Sequence, residues 1–339
     1  MTTPTRVQLS MPALNFSAEA RDWTGLIDHV RVLDEVGVDR AVVSDHVVYG
    51  ENLEEYGKPE VGGAKGGKQP TGPDGHWLEP LTLLTYFGAV TTNIRLGTNI
   101  LIAALRRPVV LAKTLSTLDT LTNGRVDLGV GVGWQREEYD AAGLSFEGRG
   151  RLLDHTLEVC QTLWTEQRAA YQSDELTFEN IHQMPKPAQD GGVPIWVSGT
   201  VNARVASRLA RFGSGWIPWG DAAADITTGI TQMGELLKSE GRDIADFQVV
   251  GSLPVVLDDS GLIDVKQSVA GVPALVAAGA TDLRIRPLAT DTPAAAERLR
   301  QFVEAFRAAA AEAQLAVSTA QSPFDVGALM AAAVDQTGL

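Results

Sequence analysis

His46 is the residue of this chain best suited to transfer a proton. It follows an apolar run that begins at Arg40, and it precedes a long segment rich in glycine. An imidazole titrates near neutral pH, so His46 can serve as a general acid or base at the end of a strand. Asp45 can orient this ring or close the strand end. A structural histidine held by its neighbours is the alternative.

Ser198, Gly199 and Thr200 form a second place where chemistry is expected, because they separate a predicted strand from a predicted helix. Backbone N–H groups at a helix start bind anions, and small side chains let a phosphate approach them. Arg204 and Arg208 follow within the first turns of that helix. The sequence therefore predicts a phosphate site here, with simple capping of the helix by Ser198 or Thr200 as the alternative.

A third candidate is the run 121–134, which predicts a helix end, an Asn-Gly turn, a buried strand and a glycine-rich strand exit. Gly129, Gly131 and Gly133 alternate, so one side of this exit carries no side chains. We expect a flat or bulky group to approach the backbone there. The spacing differs from Gly-x-Gly-x-x-Gly, and no ribose-binding acid follows at the required distance, which argues against a dinucleotide-binding fold.

Aromatic residues follow two of the predicted strands. Trp134 and Trp219 stand at strand exits, and Pro218 precedes the second of them. An aromatic ring at such a position can form the wall of a ligand pocket, although packing in the core explains both nearly as well. Trp196 lies within a strand and is expected to pack in the core.

These candidates are positioned by strands that alternate with helices along the whole chain. The predicted strands cover 7–14, the apolar part of 40–48, 94–102, the strand within 121–134, 194–198, 215–218, 247–257 and 281–285. The predicted helices cover 23–36, 80–91, a segment from 108, 149–164, 202–212, 222–240, 272–278 and 293–313. Short strands rich in Val, Ile and Leu are typical of parallel sheets buried on both faces. We predict an α/β fold, a (β/α)8 TIM barrel forming one domain over residues 1–339, with a doubly wound open sheet as the alternative.

Two segments depart from the alternation. Residues 50–77 follow the second predicted strand. Residues 50–75 contain eight glycines and no apolar period. Such a segment is typical of an active-site lid or of a disordered loop. We expect a flexible insertion over the active site. Residues 315–339 are rich in alanine and weakly patterned, and they are expected to form a C-terminal extension.

Composition argues against several classes of function. The formal net charge of −14 disfavours nucleic acid as a partner. No window approaches the ~18 continuous apolar residues of a membrane span. Cys160 is the single cysteine, which excludes an internal disulfide and fits a core residue of a cytoplasmic protein. The histidines show no spacing typical of a metal site.

Several runs resemble the bacterial luciferase-like monooxygenase superfamily, and within it the branch of coenzyme F420-dependent oxidoreductases. They are Val-Ser-Asp-His (43–46), Ile-Arg-Leu-Gly-Thr-Asn-Ile (94–100), Arg-Arg-Pro-Val-Val-Leu-Ala-Lys-Thr-Leu-Ser-Thr-Leu-Asp (106–119), Gly-Arg-Val-Asp-Leu-Gly-Val-Gly-Val-Gly-Trp (124–134), Glu-Glu-Tyr (137–139) and Pro-Ile-Trp-Val-Ser-Gly (194–199). The similarity spans about residues 7–290. It implies a (β/α)8 barrel with a flavin or deazaflavin at the carboxyl ends of the strands.

The resemblance also implies roles for single residues. A non-proline cis peptide bond after the third strand would be Asn99–Ile100, placed beneath the cofactor ring. The phosphate-binding segment corresponds to residues 198–200, and the catalytic histidine to His46. The expected cofactor-binding residues are Asp45, Asn99, Ile100, Gly131, Gly133, Trp134, Ser198, Gly199, Thr200, Pro218 and Trp219. In some sugar-oxidising relatives a glutamate stands where this chain has Trp134, which argues against a sugar phosphate dehydrogenase.

We therefore predict a coenzyme F420-dependent oxidoreductase that transfers a hydride between the cofactor and a small organic substrate, with His46 moving the proton. One alternative is a two-component monooxygenase that uses reduced FMN and O2 and needs a flavin reductase as partner. A non-catalytic flavin-binding barrel is the other. The resemblance suggests a homodimer. We expect no metal, nucleic acid or membrane partner.

Overall fold

Eight parallel strands close into a barrel in the computed structural model, which describes residues 6–63 and 66–319. Around the barrel the strand order is β1, β12, β11, β10, β9, β6, β5 and β3. The strands are β1 (Gln8–Pro12), β2 (Phe16–Ser17), β3 (Arg40–Val43), β4 (His76–Trp77), β5 (Arg95–Thr98), β6 (Val126–Val130), β7 (Ala169–Gln172), β8 (Thr177–Ile181), β9 (Ile195–Gly199), β10 (Gly213–Pro218), β11 (Gln248–Ser252) and β12 (Asp282–Arg284). The predicted (β/α)8 barrel is confirmed, and the open sheet is wrong.

Helices surround this barrel. They are α1 (Thr24–Val36), α2 (Pro59–Gly62), α3 (Pro80–Val90), α4 (Pro108–Leu121), α5 (Arg136–Ala141), α6 (Arg149–Thr165), α7 (Ala203–Phe212), α8 (Asp221–Ala224), α9 (Ile226–Ser239), α10 (Val265–Val269), α11 (Val272–Ala277) and α12 (Pro293–Thr319). Three 3-10 helices lie at Leu53–Gly57, Ala103–Leu105 and Ile244–Asp246. None of the helices in the described part of the chain is long and apolar enough to cross a bilayer.

Local sequence explains where several elements begin and end. Pro108 occupies the first turn of α4, where its missing N–H costs no helical hydrogen bond. Gly37 ends α1 in the left-handed conformation, with φ of 87°. Every residue of β3 and of β6 is buried, as expected for strands covered on both faces. Cys160 is fully buried in the core, as predicted.

The barrel interior is charged at its amino-terminal end and apolar towards the other end. Arg40 is buried and pairs with both Asp127 and Asp282. Trp196 packs against Ile217 in a small apolar cluster of its own. Trp196 is therefore a packing residue, as predicted. The carboxyl ends of the strands lie beyond this cluster.

The structure corrects some element boundaries. The predicted helix 222–240 is two helices, because the side chain of Asp225 accepts from Thr228 N–H and starts α9 anew. Residues 50–77 contain the 3-10 helix Leu53–Gly57, α2 and β4, so the segment is partly ordered by local structure. The hairpin β7–β8 and the helix α5 were not predicted. The first residues of the predicted C-terminal extension continue α12; the rest lies outside the described residues.

Candidate active site at the carboxyl ends of the strands

His46 is held by a carboxylate on α5. Its Nδ1 lies 3.1 Å from Oε2 of Glu138, whose Oε1 accepts from Val47 N–H at 2.9 Å. The Glu138 side chain is 1% exposed and the His46 side chain 10%. Because an ionised carboxylate can only accept, Nδ1 carries the proton and Nε2 is left to exchange one. Sequence reasoning missed Glu138, although it lies in one of the family-like runs.

Aromatic rings surround the imidazole of His46. The Tyr49 ring lies 4.3 Å away between centroids, and Trp77 meets it edge-on at 4.8 Å. Trp134 stands further off, at 6.2 Å. Burial and the Glu138 carboxylate raise the pKa of the Tyr49 phenol, which therefore stays neutral near pH 7. The histidine thus lies in a largely apolar wall.

Asp45 does not orient His46. Its two oxygens accept from Arg106 at 2.6 and 3.0 Å, and one also accepts from Ile102 N–H at 2.9 Å. The carboxylate is fully buried. Asp45 therefore ties the end of β3 to the segment after β5. A direct contact of its side chain with a cofactor stays a prediction that this geometry does not favour.

The glycines at the carboxyl end of β6 and just after it leave space for residues at the neighbouring end of β5. A Cβ on Gly129 would lie 2.0 Å from the carbonyl oxygen of Thr98. At Gly131 it would lie 2.9 Å from the side chain of Ile100, and at Gly133 it would lie 3.0 Å from that of Ile102. The backbone of β5 thus explains the missing side chain at Gly129, and isoleucine side chains lie beside Gly131 and Gly133. The approach of a flat ligand to this exit stays a prediction. Contacts of a cofactor with the backbone of Gly131 and Gly133 stay predictions.

The segment after β5 carries the expected cis peptide bond, Asn99–Ile100. The Asn99 side chain accepts from Arg284 through Oδ1 at 2.7 Å. Its Nδ2 has no acceptor among the residues that the structure describes. Ile100 packs against the apolar cluster inside the barrel. This exit therefore offers two free N–H donors above an apolar floor.

The predicted phosphate segment comprises the last two residues of β9 and Thr200, and the residue that caps the following helix is a different one. Asn202 starts α7, because its Oδ1 accepts from Arg204 N–H and Val205 N–H at 3.0 and 3.1 Å. Neither Ser198 nor Thr200 caps this helix, so the capping alternative is wrong. In the described part of the chain, Thr200 N–H has no acceptor.

The arginines of α7 differ in their availability to this segment. Arg208 is buried against Asp154 on α6, with its Nε 2.5 Å from a carboxylate oxygen, and cannot reach an anion after β9. Arg204 is exposed and is the second residue of α7. Backbone N–H groups and Arg204 are therefore the donors that remain for a phosphate.

The segment 50–63 packs on both tryptophans of the strand exits. The ring of Tyr56 lies 5.3 Å from that of Trp134. Trp219 Nε1 donates to the carbonyl oxygen of Val61 at 3.3 Å. Pro218 pairs with Gly199 in the barrel and brings Trp219 beside the phosphate segment. Part of the insertion thus lies across the carboxyl ends of the strands.

Three donors without partners test whether a flavin-type cofactor suits this place. They are Asn99 Nδ2, Thr200 N–H and the buried Trp134 Nε1, none of which has an acceptor in the described residues. Ring carbonyl oxygens and a phosphate are acceptors of the kind these groups require. The donor set therefore fits a flavin or deazaflavin. The described residues hold no group of three or more His, Cys, Asp or Glu suited to a metal.

Comparison with known proteins agrees with this geometry. The family model of the luciferase-like monooxygenases matches residues 5–261. The chain belongs to the luciferase-like monooxygenase family. An uncharacterized protein of Mycobacterium tuberculosis is 32% identical over 166 residues, which are 49% of this chain and 58% of the relative.

Two further comparisons concern a sequence relative and a solved structure. An F420-dependent glucose-6-phosphate dehydrogenase of Segniliparus rotundus is 29% identical over 65% of this chain and 61% of its own length. The chain thus spans less than two thirds of both relatives. An F420-dependent secondary alcohol dehydrogenase, solved with an F420-acetone adduct, superposes with a TM-score of 0.65 at 16% identity, over 89% of this chain and 99% of that one.

Proposed function

We propose that this protein is a coenzyme F420-dependent oxidoreductase that transfers a hydride between the cofactor and a small organic substrate. The His46–Glu138 pair carries the proposal, because hydride transfer to or from an organic molecule needs one accompanying proton. The pair lies at the carboxyl ends of the strands, where barrel enzymes hold their chemistry. Relatives named as F420-dependent dehydrogenases support this choice of cofactor.

Each residue of the site has a separate task in this function. His46 gives or takes the proton at Nε2, and Glu138 stabilises the imidazolium that results. Asn99 Nδ2 and Trp134 Nε1 would hold carbonyl oxygens, while Thr200 N–H and Arg204 would hold a phosphate. The bound deazaflavin would supply or accept the hydride. Tyr49 and Trp77 cover His46 and keep water from it.

Glucose 6-phosphate is not the substrate we propose. Trp134 occupies the position where some sugar-oxidising relatives carry a glutamate, and its ring packs against Tyr56 of the insertion. The wall near His46 is aromatic. We propose a small organic molecule with an electrophilic carbon, such as a carbonyl compound or an activated alkene.

Cofactor titration followed by an oxygen assay tests this function. F420 and FMN are added in turn to the purified protein, and fluorescence gives the dissociation constant of each. We expect tighter binding of F420 and turnover that consumes no O2. Tight FMN binding with O2-dependent turnover would replace the proposal by the two-component monooxygenase. Absence of turnover with either would favour the non-catalytic barrel.

The assembly and location expected from the sequence are also proposals. Tyr86 on α3 and Val110 on α4 are 54% and 64% exposed, and Leu121 at the end of α4 is 71% exposed. Such a surface supports a homodimer that buries these two helices. The free, buried thiol of Cys160 supports a reducing, cytoplasmic location. Light scattering of the purified protein tests the dimer.

A further inference from the structure

Among the residues that the structure describes, the barrel interior holds more guanidinium groups than carboxylates. Arg40 pairs with both Asp127 and Asp282, and Arg95 also pairs with Asp127. The hydroxyl of Ser10 also donates to Asp282. With this contact and the arginine contacts, all four oxygens of the two carboxylates accept a hydrogen bond. The two carboxylates are thus already neutralised by two arginines.

Arg284 is the third guanidinium, and its close partners are neutral. Its Nε donates to Oγ of Ser10 at 3.1 Å, and its Nη1 donates to Oδ1 of Asn99 at 2.7 Å. The nearest carboxylate oxygen, on Asp282, is 3.9 Å away. The Arg284 side chain is 12% exposed. Burial lowers the pKa of Arg284 to about 10, so it is still charged at neutral pH. Within the described part of the barrel, the interior therefore keeps one positive charge more than its carboxylates balance.

That excess charge lies on the last residue of β12 and reaches the exit of β5. The amide of Asn99 has a single acceptor oxygen, and Arg284 occupies it. This contact fixes the orientation of the amide. Oδ1 faces Arg284, and Nδ2 presents its two N–H groups on the opposite side. Without the guanidinium, the amide could rotate by half a turn, and Oδ1 would take the place of Nδ2.

We propose that Arg284 is a positioning residue that makes the bound cofactor easier to reduce. It orients the Asn99 amide, and it places a buried positive charge beneath that amide. The inference rests on the function proposed above. Reduced flavins and deazaflavins lose a ring proton near neutral pH and become anions. The reduced anion concentrates its charge at the pyrimidine end of the ring, whereas oxidised F420 shares its negative charge with the hydroxyl at the far end. Amide donors and a guanidinium at the pyrimidine end therefore stabilise the reduced form more than the oxidised form.

Measured affinities of the oxidised and reduced cofactor test the role of Arg284. Dissociation constants for F420 and reduced F420 are determined anaerobically for the wild type and for Arg284→Met. We expect the variant to lose about tenfold more affinity for the reduced than for the oxidised cofactor, which equals a fall of ~30 mV in the two-electron potential. A purely structural role would weaken both forms equally.

Two further variants keep the test decisive. Asn99→Asp retains Arg284 and the side-chain shape but adds a carboxylate that pairs with the guanidinium, so the same shift is expected. Arg95→Gln removes a guanidinium from the same network at the amino-terminal end of the barrel, and the affinity ratio should stay at the wild-type value. If Arg284→Met does not fold, the ratio of affinities for reduced and oxidised F420 in Asn99→Asp tests the role of Arg284.

The outcomes separate the two proposals. An unchanged affinity ratio in Asn99→Asp and in folded Arg284→Met, with F420 still bound, would overturn the role of Arg284 and leave the proposed function standing. An equal shift of the affinity ratio in Arg95→Gln would also overturn the role of Arg284, because the loss of any guanidinium in the network would then have the same effect. A wild type that binds no F420 would overturn both.

Discussion

Oε2 of Glu138 lies 3.1 Å from Nδ1 of His46, although 92 residues separate the two along the chain. The same carboxylate accepts from the N–H of Val47, so it is fixed at both oxygens. A buried, fixed carboxylate sets the tautomer of the imidazole and stabilises its charged form. His46 therefore has a defined proton-exchanging atom, Nε2.

Replacing Glu138 by Gln should slow turnover while F420 affinity is unchanged. The amide cannot balance the charge of the imidazolium, and we expect kcat to fall by about 10- to 100-fold. Steady-state kinetics with a carbonyl or enone substrate measures the effect. Glu137→Gln, one residue away, is the matched control and should behave as the wild type. Wild-type kcat in Glu138→Gln would remove the carboxylate from the mechanism.

Gly129→Ala should destabilise the barrel. The new Cβ would lie 2.0 Å from a backbone oxygen, that of Thr98, so the strands must move apart. We expect a loss of about 2–3 kcal/mol in the free energy of unfolding, measured by denaturant titration. Gly25→Ala is the control, because nothing lies within 4 Å of its Cβ position. Equal stability of the two variants would show that β5 and β6 do not pack as described.

Asp45→Asn should lower the stability of the protein, with a smaller effect on its affinity for the cofactor. The change breaks a buried pair with Arg106, which keeps Glu79 as a partner at 3.0 Å. We expect a loss of about 2–4 kcal/mol in the free energy of unfolding. Asp28→Asn, on an exposed pair with Arg31, should change little. A stable Asp45→Asn with much weaker F420 binding would restore Asp45 as a direct cofactor ligand.

His29 should make the protein sensitive to acid. Burial lowers its pKa from 6.5 to about 4, and its Nδ1 lies 2.7 Å from Oγ1 of Thr290. Between these two pH values the unfolded chain binds a proton that the folded chain does not, so stability falls as the pH falls. The loss over this window is at most about 3 kcal/mol.

The variant His29→Gln measures that contribution. Unfolding free energies of the variant and the wild type, compared at pH 7 and pH 4, should show a smaller loss in the variant. His182 is exposed, and His182→Gln should lose as much as the wild type. An identical acid loss in His29→Gln would assign the sensitivity to other groups.

The fold could be predicted from the sequence because its periodicities are local. Short apolar runs such as β3 and β6 alternate with amphipathic helices such as α1, and eight such units have few ways to pack. Helix α5 was missed because it has only six residues and two buried side chains. The break between α8 and α9 depends on one side chain, that of Asp225, which periodicity does not reveal.

The site was only partly predictable, for a different physical reason. His46 and Asn99 could be found because both follow a strand, and strand exits share one end of the barrel. The partners of these residues, Glu138 and Arg284, come from distant parts of the chain, and sequence spacing does not show such pairs. The role of Gly129 could not be predicted, because a missing side chain does not reveal what fills the space, which here is the backbone of Thr98.

The mass of the small molecule that the protein retains tests the central claim most directly. The full chain is produced in a host that makes both F420 and FMN, and native mass spectrometry measures the ligand that remains bound after purification. The proposed function predicts the mass of F420, and its loss in a variant that combines Asn99→Asp with Arg204→Ala. Retention of FMN from the same host, with F420 absent, would contradict it.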